Sequence, residues 1–253
     1  MNVFLTGASS GLGAALARHY AARGATLGLV ARRGDALAAL AAELAPGGCA
    51  VYAADVRDVG ALRAAATDFI GRFGIPDIII ANAGVSTGTV TEHAEDNQTF
   101  RAILDTNVLG MLHTFQPFLP GLLAARSGTL AGIASVAGFR GLPGSEAYSA
   151  SKAAAISYLE SLRVELSGSG VSVVTICPGY IATPMTAKNP YPMPFLITAE
   201  RAAKSIVRAI ERRRRFYVLP WQMAFMGTLL RILPRPLYDD MFARAPRKPR
   251  SGR

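Results

Sequence analysis

The sequence predicts an α/β fold: a doubly wound, Rossmann-type parallel sheet of about seven strands with helices on both faces. Two observations carry this prediction. Short apolar runs alternate with longer Ala- and Leu-rich stretches over the first 180 residues, and the runs themselves do not alternate polar with apolar residues. Strands buried on both faces of a parallel sheet have this composition. Regular alternation of strand and helix is typical of βαβ units.

The predicted strands are the apolar runs, which are β-branched in part. They lie at Val3–Leu5, Thr26–Val30, Ala50–Ala53, Ile78–Ala81, Thr129–Ala134, Val171–Cys177 and Phe216–Leu219. The predicted helices are Gly11–Arg23, Asp35–Leu44, Val59–Phe73, Thr99–Ala125, Ala147–Ser167, Thr198–Arg212 with Thr198 as N-cap, and Trp221–Leu233.

The chain carries no internal repeat and no low-complexity linker. We therefore expect a single domain over residues 1–243. Within it, the Pro-rich stretch 182–197 is predicted to form a substrate lid, and residues 216–243 are predicted to form a C-terminal cap or interface. Residues 244–253 are rich in Pro, Arg and Gly, and we expect them to be a disordered basic tail.

Composition excludes several classes of protein. Hydrophobic residues make up 51% of the chain and charged residues 17%, which excludes disorder as the main state. The two cysteines, Cys49 and Cys177, are too far apart for a disulfide scaffold or a zinc motif, and are expected to be reduced thiols of a cytosolic protein. The three histidines form no spaced cluster, so no metal site is predicted. The first motif begins at Thr6, and we expect no signal peptide and a cytoplasmic location.

The net charge of +10 is concentrated towards the C-terminus. Residues 1–200 hold 13 Lys and Arg against 14 Asp and Glu, whereas residues 201–253 hold 14 against 3. Because no basic stripe crosses the body, nucleic acid is a disfavoured partner. Two interpretations of the basic end remain open: contact with an acidic membrane surface, or a solvated end.

The segment 212–235 is the candidate for membrane contact. Four arginines, 212–215, precede the uncharged stretch Phe216–Leu230, which is interrupted by Pro220 and is shorter than the ~20 residues that a bilayer span needs. A segment lying in the headgroup region fits better and would give peripheral contact at the inner membrane face. The alternative is that this region is the last strand and a helix that closes the substrate site.

A glycine-rich loop follows the first predicted strand and precedes the first helix. Its sequence is Thr6-Gly7-Ala8-Ser9-Ser10-Gly11-Leu12-Gly13. Glycines let the backbone approach a pyrophosphate, whose charge the helix N-terminus stabilises. The spacing G-x-x-x-G-x-G departs from the G-x-G-x-x-G fingerprint, and the loop alone is equally consistent with an ordinary glycine-rich turn.

Three further motifs follow in order: Asn82-Ala83-Gly84, Tyr148-Ser149-Ala150-Ser151-Lys152 and Pro178-Gly179. With them, the chain over about residues 2–215 resembles the short-chain dehydrogenase/reductase (SDR) family. Ala81 stands where the family usually has Asn. The resemblance implies an oxidoreductase that binds its nicotinamide cofactor through Gly7, Ser9, Ser10, Gly11, Leu12, Gly13, Arg32, Arg33, Asp55, Val56, Asn82, Ala83, Gly84, Tyr148, Lys152, Pro178, Gly179, Ile181 and Thr183.

The end of the second strand favours NADP(H) over NAD(H). An acidic residue there binds the ribose 2′-hydroxyl, whereas Arg accommodates a 2′-phosphate. Here Ala31 is followed by Arg32 and Arg33, and the first carboxylate is Asp35. Arg32 is the first choice as phosphate ligand and Arg33 the second. The resemblance further implies that Asp55 binds the adenine amino group.

Tyr148 and Lys152 lie four residues apart in a helical pattern, so their side chains share one face. A phenol with a pKa near ~10 needs a nearby ammonium to act as a base at neutral pH. We predict that Tyr148 is the general acid in reduction and the general base in oxidation. The resemblance implies that Ser135 binds the substrate carbonyl and that Asn107 holds a water that links Lys152 to solvent.

The predicted function is NADP(H)-dependent interconversion of a carbonyl and a secondary alcohol by a Ser-Tyr-Lys(-Asn) mechanism. Apolar loops at 138–146 and 185–197, without a basic cluster beyond Arg140 and Lys188, favour a lipophilic substrate. Two alternatives stay open: a membrane-associated reductase dedicated to long-chain lipid ketones, and a non-catalytic NADP(H)-binding regulatory protein. The helices at 99–125 and 147–167 match those through which the family dimerises, which implies a homodimer or homotetramer.

Overall fold

The structure is a computed structural model that describes residues 1–44 and 48–250. Its centre is a parallel sheet of seven strands in the order β3-β2-β1-β4-β5-β6-β9. The strands, together with a separate two-stranded pair β7-β8, are β1 Asn2–Thr6, β2 Thr26–Ala31, β3 Cys49–Ala53, β4 Ile78–Ala81, β5 Thr129–Ile133, β6 Ser172–Pro178, β7 Ile181–Ala182, β8 Ile197–Thr198 and β9 Phe216–Leu219.

Helices cover both faces of the sheet. They are α1 Gly11–Ala21, α2 Gly34–Glu43, α3 Val59–Phe73, α4 Asp96–Leu104, α5 Gly110–Phe115, α6 Leu119–Ala125, α7 Glu146–Glu165, α8 Ala199–Glu211, α9 Trp221–Ile232 and α10 Arg235–Phe242. The predicted doubly wound fold is confirmed, with the strand and helix ends within a few residues of the predicted ones.

The sheet separates two apolar cores because successive side chains of a strand point to opposite faces. In β1, Val3 and Leu5 join the core shared with α1, α2 and α8, while Phe4 joins the core beneath α3, α5, α6 and α7. β4 divides in the same way, with Ile79 on the second side. Burial on both faces explains why the strands are continuous apolar runs.

The strand order reverses between β1 and β4, which pair directly. To one side of this boundary the chain winds through β2 and β3, and to the other through β5 and β6. Loops that leave β1 and β4 therefore diverge and open a crevice at the carboxyl ends of the strands. Open α/β sheets bind their ligands at such a crevice.

The predicted helix Thr99–Ala125 is divided in the structure. A π-helical segment, Asp105–Leu109, separates α4 from α5, and Pro120 lies in the first turn of α6, where its missing N–H is tolerated. Of the described residues, the span Asp96–Ala125 alone is long and apolar enough to cross a membrane, with a mean hydropathy of 1.3. In the structure it packs against α7 and β4 as part of the domain.

The C-terminal region differs from the prediction. Beyond β9 and α9 the chain forms a further helix, α10, and residues 244–250 pack against the domain. We expected a disordered tail from residue 244, but an ion pair between Arg250 and Asp96 holds this segment. The rest of the expected tail, 251–253, lies outside the described residues.

Candidate active site

The glycine loop connects β1 to α1 at the crevice. Gly7 and Gly11 have φ angles of +69° and +54°, a region that side chains disfavour. At Gly13 a Cβ would lie 2.1 Å from the Gly7 carbonyl oxygen, so only a hydrogen fits. The Ser10 side chain makes no capping bond to α1, and the first turn of α1 holds no acidic residue. This N-terminus is therefore suited to an anionic ligand.

The segment after β4 braces the glycine loop. The Thr6 hydroxyl accepts hydrogen bonds from the backbone N–H groups of Asn82 and Ala83, at 3.2 and 3.3 Å. The Asn82 amide donates to the carbonyls of Thr6 and Gly7, at 3.0 and 3.2 Å. The first and fourth strands are thus tied together at the place where the crevice opens.

The two arginines after β2 have different surroundings. Arg33 donates to the Ser9 and Ser10 hydroxyls, at 3.1 and 2.8 Å, and so leans over the glycine loop. The Arg32 side chain is 64% exposed, and its Nη1 lies 4.0 Å from Asp55. The Arg57 side chain pairs with Asp55 and is the main cause of the lowered pKa of that carboxyl. Asp55 lines the crevice as a partnered carboxylate.

Three side chains predicted to be catalytic meet at the carboxyl end of β5. Ser135 lies two residues beyond the end of this strand, and its hydroxyl accepts a hydrogen bond from the Ala137 N–H at 3.1 Å. Tyr148 and Lys152 come from the first turns of α7, and the Lys152 Nζ lies 5.8 Å from the centre of the Tyr148 ring. Lys152 is buried and donates to the Ile133 carbonyl at 2.8 Å.

Burial shifts the titration of both members of the Tyr–Lys pair. It lowers the pKa of Lys152 from 10.5 to about 8, because a charged ammonium loses its hydration. Burial raises the pKa of Tyr148, and the nearby Ser135 hydroxyl opposes this shift. Tyr148 is therefore a protonated phenol at neutral pH in this structure, as a proton donor in carbonyl reduction must be.

Asn107 lies in the π-helical segment behind the pair. Its amide accepts from the Val85 N–H at 2.8 Å and donates to the Val85 carbonyl at 3.0 Å and to the Ser151 hydroxyl at 2.9 Å. A Cβ placed at Gly84 would lie 3.3 Å from the Asn107 Oδ1 and 3.6 Å from the Lys152 Nζ. Asn107 and Lys152 therefore flank Gly84, although Asn107 does not line the crevice.

The segment after β6 closes one side of the crevice. The Thr186 hydroxyl donates to the Ile181 carbonyl at 2.6 Å and accepts from the Thr183 N–H at 3.0 Å. At Gly179 a Cβ would lie 2.6 Å from the Met223 side chain, so glycine permits α9 to approach. β7 and β8 pair at the base of the predicted lid, between Ile181 and Ile197.

One crevice holds every residue that we predicted to contact the cofactor, together with Ser135. Their individual roles stay predictions. Sequence reasoning placed Met185 in a substrate loop and did not assign the remaining lining residues to the site. These are Ala31, Ala54, Val85, Thr106, Ile133, Ala134, Pro184 and Thr186. Most of these residues offer main-chain or apolar surface to a ligand, and a contact of that kind cannot be recognised from the residue type. The Thr183–Thr186 spacing was a usable signal for Thr186.

Phe139, in the predicted substrate loop 138–146, packs away from the lid against β9 and α9. Its ring stacks on Phe216 with centroids 6.0 Å apart and packs against Gly227 of α9. Within residues 1–44 and 48–250, no group of three or more His, Cys, Asp or Glu side chains is placed to hold a metal ion.

The residues of the crevice fit a dinucleotide: glycines whose Cβ atoms would collide, an uncapped helix N-terminus and two arginines beside it. With a Tyr–Lys pair at the same sheet edge, this arrangement defines a Rossmann-type oxidoreductase that uses a nicotinamide cofactor.

The comparisons with known proteins agree. The family described as short chain dehydrogenase matches residues 1–192. An uncharacterized oxidoreductase of Myxococcus xanthus is 40% identical over 93% of this chain and 93% of its own length. The 11-beta-hydroxysteroid dehydrogenase 1A of Arabidopsis thaliana is 35% identical over 86% of this chain and 68% of its own length. The alcohol dehydrogenase of Thermococcus sibiricus, complexed with 5-hydroxy-NADP, has a TM-score of 0.77 and 26% identity, covering 86% of this chain and 94% of that chain. The chain therefore belongs to the short-chain dehydrogenase/reductase family, as its motifs predicted.

Proposed function

We propose that the protein is an NADP(H)-dependent oxidoreductase that interconverts a lipophilic ketone and its secondary alcohol. The observation that carries this proposal is the meeting of Ser135, Tyr148 and Lys152 at the sheet edge, beside a crevice fitted to a dinucleotide. These three side chains supply a hydrogen-bond donor, a proton donor and a buried ammonium. A carbonyl that accepts hydride needs all three functions.

The mechanism assigns one task to each side chain. The bound nicotinamide supplies or accepts the hydride. The Ser135 hydroxyl donates to the substrate carbonyl, and the Tyr148 phenol gives its proton to the developing alkoxide. The Lys152 ammonium stabilises the resulting phenolate, and it also binds the ribose hydroxyls. The Ile133 carbonyl and Asn107 fix the surroundings of Lys152. A water held by Asn107 then links Lys152 to solvent, and by this route the Tyr148 phenolate regains its proton.

NADP(H) is the proposed cofactor because two arginines and no carboxylate follow β2 directly. Arg33 is the better phosphate ligand of the two, since it already lies against Ser9 and Ser10, whose hydroxyls can serve the same phosphate. Arg32 faces Asp55 at 4.0 Å and must turn from it to bind phosphate. This reverses our order of preference from the sequence.

A lipophilic substrate is proposed from the lid and from one relative. Phe195 and Leu196 expose 44% and 45% of their surface on the lid, and Met185 exposes 39%. Apolar side chains that are exposed in this way are available to cover an apolar ligand. The hydroxysteroid dehydrogenase among the relatives is named for a substrate of this character.

Exposed apolar surface on two helical elements supports a homo-oligomer. Leu109 and Leu112, in the segment around α5, expose 45% and 37% of their surface, and Val164 on α7 exposes 63%. These side chains lie on the helices through which we expect the chain to form a homodimer or homotetramer.

A second proposal concerns location: we propose that the protein is cytoplasmic and touches the inner membrane face through α9. Its outer side carries Trp221, Phe225 and Ile232, which expose 74%, 69% and 73% of their surface at helical spacing. Its inner side carries Met223 and Gly227, which are buried. The four arginines 212–215 precede β9, and Arg231 lies in the last turn of α9. Their charge suits anionic headgroups. The exposed apolar side of α9 favours the alternative in which the protein is a membrane-associated reductase of long-chain lipid ketones.

The test is NADPH and NADH oxidation against ketones graded by chain length and ring size, with Tyr148→Phe as the control. We expect turnover that rises with apolar size and falls by about 100- to 10,000-fold in the variant, because the proton donor is lost. NADPH binding that persists without turnover on any ketone would favour the regulatory alternative. Turnover retained in Tyr148→Phe would refute the proton-transfer role.

A further inference from the structure

Residues 244–250, here called the C-terminal strap, pack beside Tyr148, next to Ser86 and Gly88. The end of the strap is anchored by Arg250, which donates to both oxygens of Asp96, at 2.8 and 3.1 Å. The two side chains expose only 14% and 9% of their surface. Asp96 also accepts from the Val90 N–H at 2.8 Å, so the receiving carboxylate is itself fixed.

The chain before the strap is anchored independently. The Tyr238 hydroxyl of α10 donates to the Gly141 carbonyl at 2.6 Å. The Arg140 guanidinium lies 4.0 Å from the centre of the Tyr238 ring and donates to the carbonyls of Leu230 and Leu233, at 2.9 and 3.0 Å. Because the strap is held on both sides, its position beside Tyr148 is fixed.

Two glycines of the domain surface, Gly88 and Gly144, let the strap pack closely against it. The Gly88 N–H donates to the Pro249 carbonyl at 2.9 Å, and a Cβ at Gly88 would lie 2.2 Å from the Lys248 carbonyl oxygen. At Gly144, a Cβ would lie 2.7 Å from the Cβ of Arg247. Two glycines thus permit a backbone approach that any other residue would prevent.

Lys248 of the strap lies beside Tyr148, the predicted catalytic tyrosine. Its Nζ lies 5.5 Å from the centre of the Tyr148 ring and donates to the Ser86 hydroxyl at 2.5 Å. Ser86 follows Val85, which lines the crevice. The side chain is half-buried, and burial alone lowers the pKa of Lys248 to about 8, with no charged group contributing.

Lys248 therefore has unused binding capacity at the reaction centre. An ammonium has three donors, and those of a half-buried one that the protein does not accept are free for water or a ligand. Among the described residues, Ser86 is its one hydrogen-bond partner, and no carboxylate forms an ion pair with it. By contrast, Arg140 donates to two carbonyls and Lys188 is exposed on the lid.

We infer that Lys248 is a specificity-determining residue that binds a carboxylate on the carbonyl substrate. The inference rests on the proposed function and narrows it: the substrate is an amphiphile, with an apolar body against the lid and one negative charge at the strap. One ammonium matches a carboxylate rather than a phosphate monoester, which carries close to two charges at neutral pH. The sequence analysis considered only Arg140 and Lys188 of the substrate loops, and Lys248 lies outside those loops.

The experiment compares medium-chain oxo acids, with the ketone at successive positions, against their methyl esters in the full-length protein. For the best acid, Lys248→Met should lower kcat/KM by about 10- to 100-fold, the scale of one hydrogen bond to a charged group. The ester should change by less than about threefold, since it makes no such bond. Lys204→Met removes an exposed lysine of α8 and is the matched control for net charge.

The outcomes separate this inference from the proposed function. Tyr148-dependent turnover in which acid and ester are reduced equally, or in which Lys248→Met changes both equally, overturns the inference and leaves the function standing. A variant that lacks residues 246–253 is a further check. If its kcat/KM rises for both the acid and the ester, the strap only obstructs the site and the inference about Lys248 is overturned.

A binding arm keeps the inference testable without turnover. Decanoate and decanol are titrated into the NADP⁺-saturated protein by calorimetry. Decanoate should bind more tightly than decanol in the wild type, and Lys248→Met should weaken decanoate alone, by about tenfold. This result without any ketone turnover would support the anion site and count against the reductase. Equal effects on both ligands would contradict the anion site.

Discussion

The cofactor crevice and the C-terminal cover of the same site are held together by different means. The crevice is built where strands end. Strand pairing and short bonds between side chain and backbone hold it, such as those from the Asn82 amide to the carbonyls of Thr6 and Gly7 across two paired strands. The cover, which is α9, α10 and the strap, is fastened by side chains, above all Arg140, Tyr238 and Arg250.

We relate the crevice to the reaction that all substrates share, and the cover to the choice of substrate. A crevice held by sheet register cannot change without damage to the fold. A cover fastened by a few side chains can be altered at one contact. We therefore expect changes in the crevice to affect every substrate, and changes in the cover to affect substrate choice, membrane contact or local order.

The largest effect is expected at Lys152, inside the crevice. Lys152→Met should lower kcat by about 100-fold or more for every ketone, because the phenolate of Tyr148 loses its cation. The same variant should be more stable at pH 7 by about 2 kcal/mol, because burial holds the pKa of Lys152 at about 8, below its ordinary value of 10.5. The Ile133 carbonyl loses its hydrogen bond from Lys152 in the variant, and this loss offsets part of the gain in stability.

The sign of the stability change follows from proton binding. The unfolded chain binds a proton at Lys152 up to pH 10.5, whereas the folded protein releases it near pH 8. The unfavourable contribution is therefore complete below pH 8 and disappears as the pH rises towards 10.5. Urea unfolding of both proteins at pH 7 and at pH 10 measures this. A stability difference that does not shrink with pH contradicts the assignment.

The next effect concerns the cofactor. Arg33→Ala should lower the preference for NADPH over NADH by about 10- to 100-fold, because one hydrogen-bonded ion pair to the 2′-phosphate is lost. Arg32→Ala is the matched control and should have the smaller effect, since Arg32 faces Asp55. The ratio of kcat/KM for the two cofactors is the measurement. A larger loss in Arg32→Ala would restore the assignment made from the sequence.

A smaller effect is expected at the outer side of α9. Trp221→Ser with Phe225→Ser should weaken binding to vesicles of anionic lipid by about tenfold, because two exposed apolar side chains no longer enter the interface. Vesicle co-sedimentation measures this, and kcat on a water-soluble ketone should stay unchanged. Val59→Ser removes an exposed apolar residue of α3 as the control. Binding that is indifferent to the α9 changes would contradict the membrane contact.

The smallest global effect is expected at the anchor of the strap. Arg250→Ala should increase hydrogen exchange at residues 244–250 and leave the melting temperature within about 1 °C, because the ion pair fastens one segment. Arg247→Ala keeps the Cβ that packs at Gly144 and should leave exchange as it is. A large fall in melting temperature would mean that the cover stabilises the whole domain, and would remove the distinction between the two regions.

The fold and the crevice were predictable because their signals are local. Apolar runs such as Ile78–Ala81 identify buried strands, and Thr198 accepts the capping hydrogen bond from the Arg201 N–H that its residue type predicted. The glycine loop and the Tyr148–Lys152 spacing each depend on residues within one or two turns of each other.

The cover was less predictable because its contacts are distant along the chain. Arg250 and Asp96 are 154 residues apart, and Lys248 and Ser86 are 162 apart. No periodicity links such positions, and the Pro- and Arg-rich composition of the strap resembles that of a disordered end. The π-helical turn at Asn107 was also missed, because it depends on packing against Val85 and Ser151 rather than on local propensity.

The position of the strap in the chain has a consequence for synthesis. Chains fold from the N-terminal side as they leave the ribosome. The residues that line the crevice end at Thr186, and the helix and strand that complete its sheet and core, α8 and β9, end at Leu219. A nascent chain can therefore complete the nucleotide site while residues 244–250 are still unmade. For that interval the protein binds nucleotide with the side of Tyr148 towards Ser86 open, and selection of substrates through Lys248 begins only when the strap arrives.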